Sequence, residues 1–162
     1  MNRIPALAPL LTILAVMALA PEVHAADTPD PVPAAATDPL GKARGLIAEK
    51  KWAAAISELK RVNASRSADW NNLMGYSLRK SATPDLAGAE RHYNEALRID
   101  PRHLGALEYA GELHLMQGDL ARAEARLAAL ATACQSSCEE YRDLKGGIER
   151  YKANGNRYVA QP

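Results

Sequence analysis

The chain has 162 residues, with 20 Lys and Arg against 19 Asp and Glu and a formal net charge of +1. Near-neutrality excludes the basic footprint that a nucleic-acid binder needs, and it offers no attraction to anionic lipid. The length suits one compact domain.

Residues 1–25 read as a secretory signal. Arg3 supplies a positive start, and residues 6–20 form an apolar run without charge. Val23-His24-Ala25 then puts small residues around a cleavage point before Ala26. Pro5 and Pro9 shorten the usable apolar helix to about 11–15 residues, below the ~20 that span a bilayer. Cleavage removes Arg3 and Glu22 together, so the net charge stays at +1. No later segment is apolar enough to span a membrane, and the expected location is the periplasm. Residues 26–39 hold four prolines and no large aromatic, which predicts a stiff, extended linker.

From residue 40 a 34-residue beat takes over. Ala55, Ala89 and Ala123 keep that spacing. So do Leu59, Tyr93 and Leu127, then Val62, Ala96 and Leu130, and Trp52, Leu86 and Leu120. A fixed period of this size signals stacked helix–turn–helix units. Within each unit the apolar residues step by three or four, as on a helix with one buried face. Ala55-Ile56-Leu59-Val62, Leu86-Ala89-Tyr93-Ala96-Leu97 and Leu120-Ala123-Leu127-Leu130 all do so. No stretch alternates over six or more residues, so no sheet is expected. Asp38-Pro39, Thr83-Pro84 and Asp100-Pro101 pair a capping side chain with a proline, as helix starts do. Breaks at Glu49-Lys50-Lys51 and Gly118-Asp119 split units into two helices.

This pattern resembles the tetratricopeptide repeat family. Leu107, Ala110, Gly111 and His114 stand where that motif has its first-helix residues, and Ala123 and Leu127 fit the second helix. Asn71, Met74, Gly75 and Leu78 match less closely, whereas Ala89, Tyr93 and Pro101 match well. In the first unit Ala43 replaces the usual glycine, with Ala55, Leu59 and Val62 in register. The resemblance runs from Leu40 to Ala133 in three units, about 40–66, 67–101 and 102–133. It implies an all-α fold, a right-handed solenoid of about three helical hairpins. The conserved-size alanines mark close helix crossings, so Ala89→Leu should cost ~1–3 kcal/mol through overpacking. Gly75 to Ala89 is two residues longer than Gly111 to Ala123, which places an enlarged turn at Ser81-Ala82-Thr83-Pro84.

Beyond the third unit, Tyr141, Leu144, Ile148 and Tyr151 form an apolar stripe on one further helix, within residues 134–153. Such a helix would seal the open end of the stack. Ser137 with Glu140 reads as a capping box for it. Gly146-Gly147 inside it is either a weak spot or a close approach to a neighbour. Residues 154–162 lack periodicity and are expected to fray.

Cys134 and Cys138 flank the turn before that helix. An oxidising compartment favours a bridge between them. Free thiols and a metal or redox role are the alternatives, and the spacing matches neither C-x-x-C nor C-x-x-C-H. His92, His103 and His114 are isolated, and His114 sits at a helix contact. No catalytic constellation, cofactor motif or metal-ligand set stands out.

The resemblance implies that the first helices line a concave groove for a peptide or partner helix. By register that lining includes Arg44, Asn72, Tyr76, Arg79, Glu108 and Glu112. Leu40, Tyr109 and Glu108 occupy the places where some relatives grip a C-terminal carboxylate, so that grip is not expected here. The expected function is a non-enzymatic, exported scaffold for a partner protein or peptide. Two alternatives remain. One is metal or thiol handling through Cys134 and Cys138, with Met116 or His114. The other is self-association through the end near Tyr141 and Tyr151.

Overall fold

A computed structural model describes residues 38–159. The signal, residues 26–37 of the linker and residues 160–162 lie outside that range. Among the described residues there are seven helices and no strand. They are α1 (Gly41–Ala48), α2 (Trp52–Val62), α3 (Ala68–Lys80), α4 (Leu86–Ile99), α5 (Leu104–Met116), α6 (Leu120–Cys134) and α7 (Glu139–Ala153).

The helices pair as α1 with α2, α3 with α4, and α5 with α6, and each pair packs on the next. Contacts between next-but-one helices join α1 to α3, α3 to α5 and α5 to α7. No equally close backbone approach joins α2 to α4 or α4 to α6, where only long side chains reach across. The first helices therefore approach one another more closely than the second helices do, and the stack curves with α1, α3, α5 and α7 inside.

The 34-residue series explains the pairing. Ala55, Ala89 and Ala123 are each fully buried where two helices of a unit cross. Four residues on, Leu59 and Tyr93 are fully buried too. A methyl carbon on Gly75 would lie 2.7 Å from the Tyr93 ring, and one on Gly111 would lie 2.5 Å from Leu144. These glycines let a bulky side chain of the neighbouring helix lie on bare backbone. The core falls into three clusters rather than one. One, around Leu59, Trp70 and Met74, joins the first two units, and Trp70 Nε1 donates 2.7 Å to the Leu59 carbonyl. A second, around Tyr93, Ala110 and Leu113, joins the next two. The third, around Leu107, Leu130, Leu144, Ile148 and Tyr151, seats α7. Each unit thus buries its apolar face only against its neighbours.

The helix starts differ from expectation. Asp85, not Thr83, caps α4, accepting 2.8 Å from the Gly88 N–H. His103, not Asp100, caps α5, its Nδ1 accepting 3.1 Å from the Ala106 N–H. Asp38 and Asp100 accept from Leu40 N–H and Arg102 N–H instead. Asp-Pro here builds the turn ahead of the helix, and the cap comes two or three residues later. Ser137 likewise does not cap α7. It donates to the Cys134 carbonyl, and Cys138 holds the cap position. The enlarged turn between α3 and α4 is tied by Ser81, whose hydroxyl reaches the Leu78 and Thr83 carbonyls at 3.0 and 2.7 Å.

Candidate functional site

The inner helices bring the register-mapped residues onto one face. Asn72, Tyr76 and Arg79 follow one stripe of α3, while Glu108 and Glu112 follow one of α5. Arg44 lies on α1, half-exposed, and pairs with Asp38 at 3.3 Å and Asp69 at 2.8 Å. Asp69 also meets His103 Nε2 at 2.9 Å. Because His103 Nδ1 accepts from backbone, Nε2 carries the proton and donates to Asp69. The His103 hydrogen bond, aided by Arg44, holds the Asp69 carboxyl below its usual range. Arg44, Asp69 and His103 form a polar chain across α1, α3 and the start of α5. His103 looked isolated in sequence. The signal for it was its position three residues before a backbone N–H that needed a partner.

Tyr76 is half-buried in an aromatic row. Its ring centroid is 5.7 Å from Trp52 and 4.6 Å from Tyr109. Burial raises the Tyr76 and Tyr109 phenols above their ordinary range. Asn72 is buried against the first turn of α5, with Nδ2 3.0 Å from where a Gly105 side chain would begin. Its Oδ1 has no partner among the described residues.

Arg79 is placed differently from the groove-facing side chain the register implied. It is only 4% exposed. Its Nη2 meets Glu112 at 2.7 Å, and its Nε donates 3.3 Å to the Tyr93 hydroxyl. The guanidinium lies 5.4 Å from the Tyr76 ring centroid and 5.5 Å from that of Tyr109. It forms the floor beneath the aromatic row rather than a tip presented to a ligand. A reader of the sequence could have found this from Tyr93. The equivalent positions are Leu59 and Leu127, and a buried tyrosine there needs a partner for its hydroxyl.

Glu108 is buried yet has no hydrogen-bond or ion-pair partner among the described residues. Burial first, then Glu112, Asp143 and Glu140, push its carboxyl up to about 8. At neutral pH it is largely protonated and can donate as well as accept. The face thus combines two tyrosines, a tryptophan, a buried Arg79–Glu112 pair and a carboxyl of raised pKa.

The remaining candidates lie elsewhere. Cys134 and Cys138 are joined in a disulfide, with Cα atoms 5.8 Å apart. His114 is buried, with Nδ1 3.3 Å from Gln117 Oε1, and burial lowers its pKa. Met116 Sδ accepts from Arg79 Nη1 at 3.9 Å. Among the described residues no group of three or more His, Cys, Asp and Glu side chains could hold a metal ion. No helix there is long and apolar enough to cross a membrane.

No curated protein matches the chain. The family model of the tetratricopeptide repeat matches residues 84–148, which run from the turn before α4 into α7. The model therefore takes in α4, the α5–α6 hairpin and most of α7. Paired helices in register, buried crossing alanines and this match make the fold an all-α helical repeat of tetratricopeptide type over residues 84–148.

Proposed function

We propose that the protein is an exported, non-enzymatic scaffold that holds a partner protein or peptide on the concave face of its repeats. The observation that carries this reading is the aromatic row Trp52–Tyr76–Tyr109, fixed over the buried Arg79–Glu112 pair. Tyrosine and tryptophan supply large contact area at low entropic cost, and rings already held in place need little further ordering. Export rests on the apolar run and small-residue cleavage pattern at residues 6–25.

The test is in-cell crosslinking of the chain expressed with its own signal, beside Tyr109→Ala and Glu108→Lys. Both variants change side chains of the inner face. Arg79→Glu is unsuitable as a groove probe, because it would place a third carboxylate beside Glu112 and Glu108 without changing the exposed rings alone. Partners recovered with the wild type should be lost with both variants while folding, followed by circular dichroism, is retained. An identical partner set from all three chains would refute the groove reading. Osmotic-shock fractionation tests export, and a full-length, unreleased chain would refute it.

A further inference from the structure

The segment after α7 folds back onto the face just described. Gly155 and Asn156 both adopt left-handed backbone, with φ of 65° and 61°. Their N–H groups return to the carbonyls of Lys152 at 3.2 Å and Tyr151 at 3.0 Å. Asn154 Nδ2 donates 3.3 Å to the Arg157 carbonyl. Two left-handed residues in succession, closed by three hydrogen bonds, reverse the chain instead of letting it fray. Residues 157–159 then run on outside any helix. Tyr158 is half-buried and packs against the cluster of Leu107, Leu144, Ile148 and Tyr151. Its phenol lies near enough to Arg79 and Glu112 for both charges to act on it. The expected frayed tail is thus an ordered strap over this range, and it uses the pair that floors the groove.

We infer that residues 157–159 are a tethered ligand of the concave face, so that the partner it fits is an extended segment placing a tyrosine over Arg79 and Glu112. This rests on the groove reading and deepens it. A guanidinium can donate to a phenol oxygen and a carboxylate can accept its proton, so the Arg79–Glu112 pair offers a phenol both kinds of partner. The core cluster that includes Leu144, Ile148 and Tyr151 packs against the ring. A partner must displace Tyr158, and the short connection from α7 keeps that side chain at a local concentration in the millimolar range.

The test uses the full chain, its Tyr158→Ala variant and a labelled synthetic peptide of residues 154–162, read by fluorescence anisotropy. The variant, with its site vacated, should bind the peptide. The wild type should bind it at least ~10-fold more weakly, because its own tail competes. A peptide carrying alanine for the tyrosine should bind neither chain. Equal affinity for both chains, or no binding to the variant up to about 1 mM, overturns the proposal. A second measurement needs no peptide. With tyrosine rings isotope-labelled, Tyr158→Ala identifies the Tyr158 signals, which should be shifted from free-tyrosine positions in the wild type. Free-tyrosine positions there also overturn it. Partner capture that depends on Tyr109 while these tests fail would leave the groove standing without its tether. Tail binding without any Tyr109-dependent partner would do the reverse.

Discussion

Replacing Arg79 with methionine should destabilise the fold far more than an ordinary groove substitution. Methionine keeps most of the aliphatic stem and deletes the guanidinium. The loss has three parts in the structure. Glu112, whose side chain is 12% exposed, loses its 2.7 Å partner. The fully buried Tyr93 hydroxyl loses its 3.3 Å donor. The Tyr76 and Tyr109 rings lose the cation between them. Breaking a buried pair from one side costs about 3–5 kcal/mol, and the slight wetness of Glu112 sets the expectation near 3. With a urea slope of roughly 1–3 kcal/mol per molar, the midpoint should fall by about 1–3 M.

The refuting result follows from the same contacts. If Arg79 were a solvated groove side chain, the change would cost under ~0.5 kcal/mol. Glu112→Gln provides the cross-check. In the wild type it removes the partner of a buried cation and should destabilise. In the Arg79→Met background that cation is already gone, so the same change should cost less than it does in the wild type. A coupling of about 1–3 kcal/mol is expected between the two positions, and simple additivity would refute the buried pair.

Glu108→Gln should stabilise the protein at pH 8 and flatten its pH profile. The folded carboxyl titrates at about 8 against an ordinary 4.5, so the native state holds the extra proton between those values. Stability therefore falls as pH rises from 4.5 through 8, by an amount on the order of 2 kcal/mol after allowance for relaxation. Thermal melts across that window check it, and an unchanged slope in the variant would contradict it. Gly146→Ala should raise stability by roughly 0.5–1 kcal/mol. A methyl there meets only the mobile end of Arg150, at 3.1 Å, which favours the weak-spot reading of this glycine over a close helix approach. A lower melting temperature would point to an unseen packing constraint. Cys134→Ser with Cys138→Ser should cost about 2 kcal/mol, the loop-closure value for a five-residue ring. The turn it clamps carries two left-handed non-glycine residues, Gln135 and Ser136, at φ 53° and 59°. Reductant should produce the same loss in the wild type and none in the variant.

The repeat architecture was legible because its determinants are spacings of small residues. Ala55, Ala89 and Ala123 are small where helices cross, and the structure buries all three completely. The breaks at 49–51 and 118–119 were legible too, since both fall between observed helices. Cap positions were displaced because Asp-Pro serves a turn as readily as a first helical residue. Register assigned Arg79 to the correct stripe of α3 but could not give its depth. A helix stripe fixes direction, whereas depth depends on how near α5 and the Tyr93 hydroxyl approach. Tyr109 and Trp52 were absent from the groove list for a related reason. Their rings reach the row from the edge of a stripe and from the start of a second helix. Tyr158 carried no periodic signal at all. Its placement comes from a backbone reversal at Gly155-Asn156 and from packing on the α5–α7 core, which brings it near Arg79 and Glu112.

Why the inner face is rich in charge follows from the curvature. First helices of neighbouring units touch one another, so a polar side chain on that face is covered by the next unit and needs a partner there. Arg44 meets Asp69, Asp69 meets His103, and Arg79 meets Glu112, each across a unit boundary. On the outer helices Arg122 reaches Glu90 and Arg126 reaches Asn94 across the same kind of boundary. The exposed pairs contribute little individually, typically ~0–1 kcal/mol, whereas the buried one is costly to break. Charge in this chain is therefore consumed in fixing the register of one unit on the next, which fits a net charge of +1 from 39 charged side chains. Glu108 is the inner-face residue left out of that pairing. A carboxyl that the stack largely encloses without pairing, while its oxygens still reach solvent, favours a partner that brings a donor or a cation to it, and Glu108→Gln separates the two. Glutamine can still accept from a neutral donor, so that partner should be retained, whereas a cationic partner should be weakened most at pH above 8, where the wild-type carboxyl is ionised.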